Sequence, residues 1–245
     1  MLGTTHRFGG MAFGAMTPVF IEKVLDIPVH NSLEFAVIAM AGGAIGSLIP
    51  DIDSPSSILG KKIKPISKAI AETMGHRGGT HSLIAVIIFG ILTTLLGTKL
   101  EDVLYGNMNG RNHIIFAIVA GLILMSSVLF VIQSIPSKKN RRFTKKHSTF
   151  VVMSVFIITM FIAYQNSESL YHYIRVYLLG VLVGYISHIF LDMFTRGGVP
   201  LFKPFTDFRI RFTKFKTGSV IEDITKFICI VIMVLSLLIL ANVKF

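Results

Sequence analysis

Long apolar runs alternate with shorter polar segments along most of the chain. A helix that crosses a bilayer needs about 20 mostly apolar residues, within a range of about 17–25. Seven segments approach or reach that length, and they lie at residues 8–23, 32–50, 81–98, 113–135, 148–165, 173–194 and 225–243. The pattern predicts an all-α, polytopic integral membrane protein with about seven transmembrane helices, in which residues 1–245 form a single membrane-embedded domain.

The first apolar segment follows Arg7 and superficially resembles a secretory signal peptide. It contains Pro18 and lacks a convincing cleavage site between small residues, so we interpret it as a retained first helix. Because it is short and rich in glycine, it is the weakest of the seven segments as a complete span.

The composition agrees with a lipid-embedded protein. Hydrophobic residues make up 52% of the chain, the mean hydropathy is +0.70 and only 15% of the residues are charged. A soluble domain is usually about 25% charged. The single cysteine, Cys229, excludes a disulfide framework within the chain and a four-cysteine zinc site.

The positive charge is distributed unevenly between the two sides of the predicted helices. Nineteen of the 24 Lys and Arg residues fall on one side, as Arg7 and in segments 61–77, 138–146 and 196–226. Because basic loops stay in the cytoplasm, this predicts a multi-pass protein with a cytoplasmic N-terminus. The net charge of +11 is then explained by topology and by anionic lipid headgroups, so membrane lipids are expected partners and nucleic acid is not.

Two carboxylates, Asp51 and Asp53, follow Pro50 where the second predicted helix ends at the cytoplasmic boundary. Paired carboxylates are hard oxygen ligands for a divalent cation, and bridging carboxylates are common where two cations lie close together. The alternative is a structural turn, because Pro-Asp followed by Ser-Pro at 54–55 is typical turn chemistry.

Two histidines, His76 and His81, flank a glycine-rich turn that precedes the third predicted helix. A bend at residues 78–79 could bring both imidazoles to one metal, for which zinc, manganese and iron are suitable. Arg77 offers a planar guanidinium for a phosphate. The alternative is a structural turn in which Thr80 or Ser82 caps the following helix.

His188 and Asp192 lie four residues apart near the cytoplasmic end of the sixth predicted helix, so they project from one helix face. Ionisable groups at membrane depth usually face a cavity or a partner. Two structural alternatives stay open: Asp192 orients the His188 ring, or it pairs with Arg196, which is also four residues away.

His6 and Glu222 lie at the cytoplasmic ends of the first and last predicted helices. His6 is a candidate metal ligand, and the alternative is a lone histidine that binds no metal. Glu222 is a candidate for proton transfer or for orienting a ligand. The alternative for Glu222 is a capping box with Ser219, three residues before it.

The joint placement is stronger evidence than any single motif. The topology, derived from Lys and Arg alone, puts all the candidates at one face of the bilayer. We therefore predict a site for a divalent metal, with zinc favoured and manganese or magnesium as alternatives. The predicted metal ligands are His6, Asp51, Asp53, His76, His81, His188 and Asp192, and the predicted catalytic residues are Arg77 and Glu222.

At these residues the chain resembles the YdjM-like family of membrane-bound, metal-dependent hydrolases. The matching pieces are Thr-His-Arg at 5–7, Pro-Asp-Ile-Asp at 50–53, Gly-His-Arg-Gly-Gly-Thr-His-Ser at 75–82, Ser-His-Ile-Phe-Leu-Asp at 187–192 and Thr-Arg-Gly-Gly at 195–198. Thr-Gly-Ser at 217–219, followed by Glu222, is also similar. The resemblance implies a metal-dependent hydrolase in the inner membrane of a bacterium.

We therefore predict hydrolysis of a phosphoester at the inner leaflet. A lipid-linked phosphoester is one class of substrate that fits this prediction. The order of His and Asp residues also resembles that of zinc-dependent phospholipase C and related nucleases. Two other functions stay open: a non-enzymatic membrane regulator with a structural metal site, and a divalent-cation transporter. A transporter's polar groups would continue across the bilayer, but the fourth and fifth predicted spans carry no Asp, Glu, Lys or Arg.

Overall fold

A computed structural model of the protein describes residues 1–75, 77–105, 110–134 and 148–241. Each of the seven predicted apolar segments overlaps a helix in these ranges, which confirms the all-α fold class. His76 and the basic run at 138–146 lie outside the described residues. The described helices are α1 Gly3–Lys23, α2 Ser32–Gly46, α3 Lys64–Met74, α4 Leu83–Tyr105, α5 Gly110–Ser134, α6 Ser148–Gln165, α7 Ser167–Asp192 and α8 Val220–Leu240.

Four stretches are long and apolar enough to cross a membrane, judged by length and composition. They are Ser32–Asp53, Leu83–Val103, Leu170–Asp192 and Val220–Leu240, and two shorter apolar helices cover His113–Met125 and Val151–Gln165. The membrane class of the protein is therefore confirmed, while the predicted number of seven spans stays a prediction.

Helix α3 lies in a segment, residues 61–77, for which hydropathy predicts a loop. Apolar residues recur at helical spacing from its N-cap residue, Ile63, through Ile66 and Ile70 to Met74, with lysines between them. This amphipathic pattern is typical of a helix that lies on a surface, and a search for 20 consecutive apolar residues does not detect it. Pro65 is in the first turn of α3, where proline is well tolerated.

The described chain divides into two compact units. One consists of Met1–Thr94 and Val176–Phe245, and the other is Leu95–Arg175. In the second unit α5 packs on α6, where the Thr159 hydroxyl donates a 3.0 Å hydrogen bond to the Gly121 carbonyl. The single membrane-embedded domain expected from the sequence stays a prediction.

In the first unit, α1, α2 and α7 meet at glycines. A Cβ atom on Gly10 of α1 or on Gly184 of α7 would overlap the carbonyl oxygen of Gly43 on α2. Small residues let helix backbones approach closely, which is how membrane helices associate when lipid removes the hydrophobic driving force between them. Gly43 is therefore the residue at which three helices pack backbone to backbone.

Replacing Gly43 with alanine is expected to lower the thermal stability of the purified protein. The new methyl group would overlap the Gly10 carbonyl, and overpacking of this kind costs about 1–3 kcal/mol, or roughly 5 °C in Tm. Gly90→Ala is the matched control, because its Cβ would make ordinary contacts of 3.6 Å with Leu182. Equal Tm values for the two variants in detergent would contradict this packing.

The segment after α7 folds back over the end of that helix. Isolated bridges pair Val199 with Ile210 and Thr195 with Phe215. Val199 is fully buried in an apolar cluster with Tyr185, Ile189 and Met193. The return segment thus fixes the C-terminal end of α7, where His188 and Asp192 lie.

Candidate metal centre

Four elements of the first unit meet at the candidate site. The C-terminal turn of α7 supplies His188 and Asp192, and the start of α1 supplies His6. The 3₁₀ turn Pro50–Asp53 and the 3₁₀ turn Gly79–His81 supply the others. Among the predicted site residues, the structure brings together His6, Asp51, Asp53, Arg77, His81, His188 and Asp192.

His81 and His188 face each other through their Nε2 atoms, which are 3.2 Å apart. The Nδ1 atom of His188 lies 2.6 Å from the carbonyl oxygen of Ser47, which can only accept a hydrogen bond. The Nδ1 atom of His81 lies 3.0 Å from the Thr80 hydroxyl oxygen, which accepts because that hydroxyl donates its own hydrogen to Asp53, and 3.3 Å from the Asp53 carboxylate. Both Nδ1 atoms therefore carry the hydrogen, and in the neutral rings both Nε2 atoms present lone pairs.

Asp192 is the buried carboxylate at the centre of the site. Its Oδ2 atom lies 3.8 Å from the Nε2 atoms of both His81 and His188. Its Oδ1 atom lies 3.3 Å from His6 Nε2 and accepts a 2.7 Å hydrogen bond from the Met1 amino group. One carboxylate thus faces all three described histidines of the site.

Asp51 and Asp53 occupy different places although they are two residues apart. Asp51 Oδ1 lies 3.7 Å from His188 Nε2, so it belongs with the donor atoms. Asp53 lies behind the His81 ring and accepts hydrogen bonds of 2.6 Å from the Thr80 hydroxyl and 2.9 Å from the Arg77 backbone N–H. Asp53 therefore orients His81, in the way that carboxylates orient metal-binding histidines.

His6 stacks on His188, with ring centroids 3.7 Å apart and an interplanar angle of 12°. Neither ring nitrogen of His6 has a hydrogen-bond partner among the residues that the structure describes. Burial lowers the pKa of the His6 imidazole well below its usual value, which favours the neutral ring with a free lone pair. His6, His188 and Asp192 form one group of donor atoms within 4.8 Å of one another, and Asp51, His81 and His188 form a second.

Arg77 connects the donor cluster to a polar cavity. Its guanidinium lies 3.0 Å from Asp192 Oδ2 and donates a 2.9 Å hydrogen bond to the Thr195 hydroxyl. Arg77 and Asp51 both line a cavity of about 510 Å³, together with Ser54, Ser57 and residues of the N-terminal segment. Because Asp51 is both a lining residue and a donor, the cavity adjoins the donor cluster.

Glu222 lies apart from the donor cluster. Its buried carboxylate accepts a 2.5 Å hydrogen bond from the Leu2 N–H and a 2.6 Å bond from the Gly218 N–H. Ser219 is the N-cap of α8, but its hydroxyl makes no capping hydrogen bond. The carboxylate therefore fastens the residue before α1 to the turn before α8, and its proposed part in proton transfer stays a prediction.

Three contributors to the site were not predicted from the sequence. Ser47 supplies a backbone carbonyl, Thr195 supplies a hydroxyl to Arg77, and Tyr185 donates a hydrogen bond to the Thr80 carbonyl. Two of the three had a sequence signal: Tyr185 lies three residues before His188 on the same helix face, and Thr195 begins the Thr-Arg-Gly-Gly motif at 195–198. The Ser47 carbonyl could not be predicted, because every residue type has a backbone carbonyl.

The model of the YdjM inner membrane protein family matches residues 1–131 and 127–244 of the chain. Inner membrane protein YdjM of Escherichia coli (strain K12) is 41% identical over 86 residues, which are 35% of this chain and 42% of that protein. Uncharacterized protein YvsG of Bacillus subtilis (strain 168) is 35% identical over 94 residues, which are 38% of this chain and 52% of that protein. The chain thus spans about half the length of the curated relatives that it matches. No solved structure matches the chain.

Proposed function

The chain belongs to the YdjM inner membrane protein family, and from that premise we propose that it is a metal-dependent hydrolase that cleaves a phosphoester at the inner leaflet. Its location in the bacterial inner membrane follows from the family and from its apolar helices. We place the N-terminus and the donor cluster on the cytoplasmic side, which the distribution of Lys and Arg favours. The proposal of hydrolytic activity is argued from the geometry of the site.

The observation that carries the proposal is the buried pair of Nε2 atoms, on His81 and His188, 3.2 Å apart. With the hydrogen on each Nδ1 atom, the two neutral rings present Nε2 lone pairs to each other. Two imidazoles on one tetrahedral zinc ion, with Zn–N distances of about 2.0–2.1 Å, hold their nitrogens about 3.3 Å apart. The donor spacing therefore fits one shared cation.

The neighbouring carboxylates complete a mixed donor set. Asp192 Oδ2 lies 3.8 Å from both Nε2 atoms, and Asp51 Oδ1 lies 3.7 Å from that of His188. Imidazole with carboxylate suits zinc, and it suits manganese better than magnesium, which prefers oxygen ligands alone. We propose that Asp51, His81, His188 and Asp192 hold one divalent cation, and that His6 extends the set towards a second.

The protein's own residues prepare the site for a phosphoester. A bound divalent metal would supply a water of lowered pKa and would polarise the phosphoryl group. The Ser47 carbonyl and the Asp53 carboxylate hold His188 and His81 with their Nε2 atoms turned inward. Arg77, at the wall of the polar cavity, is the cation that would bind the phosphate and stabilise the negative charge that develops during hydrolysis.

A structural metal site in a membrane regulator is the second candidate, because the cluster is almost closed. The side chains of His188 and Asp192 are fully buried, and that of Asp51 is 18% exposed. Structural zinc sites are closed, whereas catalytic sites keep one position open to water. The polar cavity beside Asp51 and Arg77 supplies that opening, and it favours catalysis.

The test is elemental analysis of the full chain purified without chelators, followed by assays with the metal found. The substrates are p-nitrophenyl phosphate, bis(p-nitrophenyl) phosphate and vesicles of phosphatidic acid. The expected result is at least one divalent ion per chain and turnover that EDTA removes and the same metal restores. Bound metal without turnover would overturn hydrolysis in favour of a regulator, and metal uptake into proteoliposomes without turnover would overturn it in favour of a transporter.

A further inference from the structure

An apolar groove of about 570 Å³ lies between α4 and the segment that follows α7. Its wall on α4 consists of Ile84, Ala85, Ile88, Phe89 and Leu92. These positions recur at helical spacing, so they form one continuous apolar stripe along the helix. A volume of this size is in the usual range for binding sites of small molecules, about 300–1,000 Å³.

The groove is open along a candidate membrane span. Helix α4 contains the apolar stretch Leu83–Val103, and the groove-lining side chains of Ile88 and Leu92 are 53% and 57% exposed. Burial of hydrocarbon against them would be favourable, at about 0.8 kcal/mol for each CH₂ group. The apolar part of the groove therefore matches an acyl chain that enters from the bilayer.

Thr73, Thr80 and Lys203 are polar residues that also line the groove. Thr80 and Lys203 are near the first residue of α4 in the chain or in space, because the Leu83 N–H donates a 2.8 Å hydrogen bond to the Leu201 carbonyl. The polar end of the groove is therefore the end at the start of α4. The Lys203 ammonium lies 3.3 Å from the carboxylate of Asp207, whose side chain is 90% exposed. Exposed ion pairs of this kind are weak, so the ammonium can bind an anionic group at the mouth of the groove.

The position of helix α3 indicates that the polar end of the groove lies at the level of the lipid headgroups. Thr73 and Met74, at the end of α3, line the groove, and the apolar side chains of Ile66 and Met74 are exposed. An amphipathic helix with lysines on its polar side typically lies in the membrane interface. An occupant that is apolar along α4 and anionic beside Lys203 thus has the layout of a phospholipid.

We propose that this groove binds one glycerophospholipid, with an acyl chain along α4 and the phosphate beside Lys203. The site is distinct from the polar cavity at Asp51 and Arg77, because the two share no lining residue among those described. Thr80, which lines the groove, donates its hydroxyl hydrogen to Asp53, a residue that lines neither space. The lipid site does not depend on hydrolysis.

The test uses the full chain in nanodiscs of phosphatidylglycerol that carries a diazirine on one acyl chain, with cross-linked peptides mapped after illumination. Ile88→Trp is expected to fill the groove and to remove the cross-links to its lining residues. Ile87→Trp is the matched control, because Ile87 is 54% exposed on the same helix but does not line the groove. Equal cross-linking in the two variants would overturn the proposal, since it would show only general contact with lipid.

The headgroup contact is tested by washing the detergent-purified protein and counting retained phosphatidylglycerol per chain. Lys203→Met is expected to reduce retention about fivefold, which corresponds to the loss of one lysine–phosphate interaction near a membrane surface. Lys226→Met is the control, because Lys226 also pairs with an exposed aspartate, Asp223, at 3.0 Å, away from the groove. Equal retention in both variants would overturn the headgroup assignment. Metal content is measured in the same samples, so failure of the lipid site is distinguished from failure of the metal site.

Discussion

Replacing His188 with alanine is expected to leave the purified protein without bound metal. His188 is the residue that belongs to both groups of donor atoms. Removing even a residue that only orients a metal ligand typically costs 10–100-fold in affinity, so removing this ligand should cost at least about 100-fold. The measurement is elemental analysis of the variant and of the wild type purified side by side.

The variant needs a control for folding, because the fully buried His188 ring stacks on His6. Asp51→Ala provides this control, because the Asp51 carboxylate lies at the wall of the polar cavity. Its removal does not create a void between packed rings. Asp51→Ala is also expected to lose the metal. His30→Ala, an exposed histidine far from the donor groups in sequence, should keep it. Wild-type metal content in both His188→Ala and Asp51→Ala would contradict the site.

The candidate site could be predicted in outline because its residues are separated in sequence but share one side of the predicted topology. His6, His81 and His188 come from three elements, and their common side followed from the positions of Lys and Arg alone. The i,i+4 spacing of His188 and Asp192 also placed both side chains on one helix face. The structure brings these residues within a few ångströms of one another.

The finer roles could not be predicted, because they depend on how each turn directs its side chains. Asp51 and Asp53 look equivalent in the sequence, yet the 3₁₀ turn directs one towards His188 and the other behind His81. Of the two candidates for the cap of α4, Ser82 accepts a hydrogen bond from the Ala85 N–H in the first turn, whereas Thr80 donates to Asp53. Tertiary contacts decided these cases.

The structure does not realise the alternative in which Asp192 pairs with Arg196. Arg196 is four residues away, but its guanidinium donates to the Lys214 carbonyl. The arginine beside Asp192 is Arg77, which is more than a hundred residues away in the chain and lies 3.0 Å from its carboxylate. Arg196 follows the end of α7, where the i,i+4 rule for helical neighbours no longer applies.

Replacing Asp192 with asparagine is expected to destabilise the protein strongly while keeping the shape of the side chain. The change removes the negative charge that faces the Arg77 guanidinium, the Met1 amino group and three histidines in a buried site. Breaking a buried ion pair by removing one partner costs about 3–5 kcal/mol, because the other charge stays buried without compensation. For a chain of this size that corresponds to a decrease of roughly 10 °C in Tm.

The matched control is Asp223→Asn, which removes an aspartate from an exposed pair with Lys226. Exposed pairs contribute about 0–1 kcal/mol, so the Tm of this variant should stay close to that of the wild type. Both variants are measured by thermal unfolding in the same detergent, with and without EDTA. If the Asp192 carboxylate compensates the Arg77 charge, Asp192→Asn stays less stable than the wild type even when EDTA has removed metal from both. A Tm difference that disappears in EDTA would instead assign the whole contribution of Asp192 to metal binding and contradict the ion pair with Arg77.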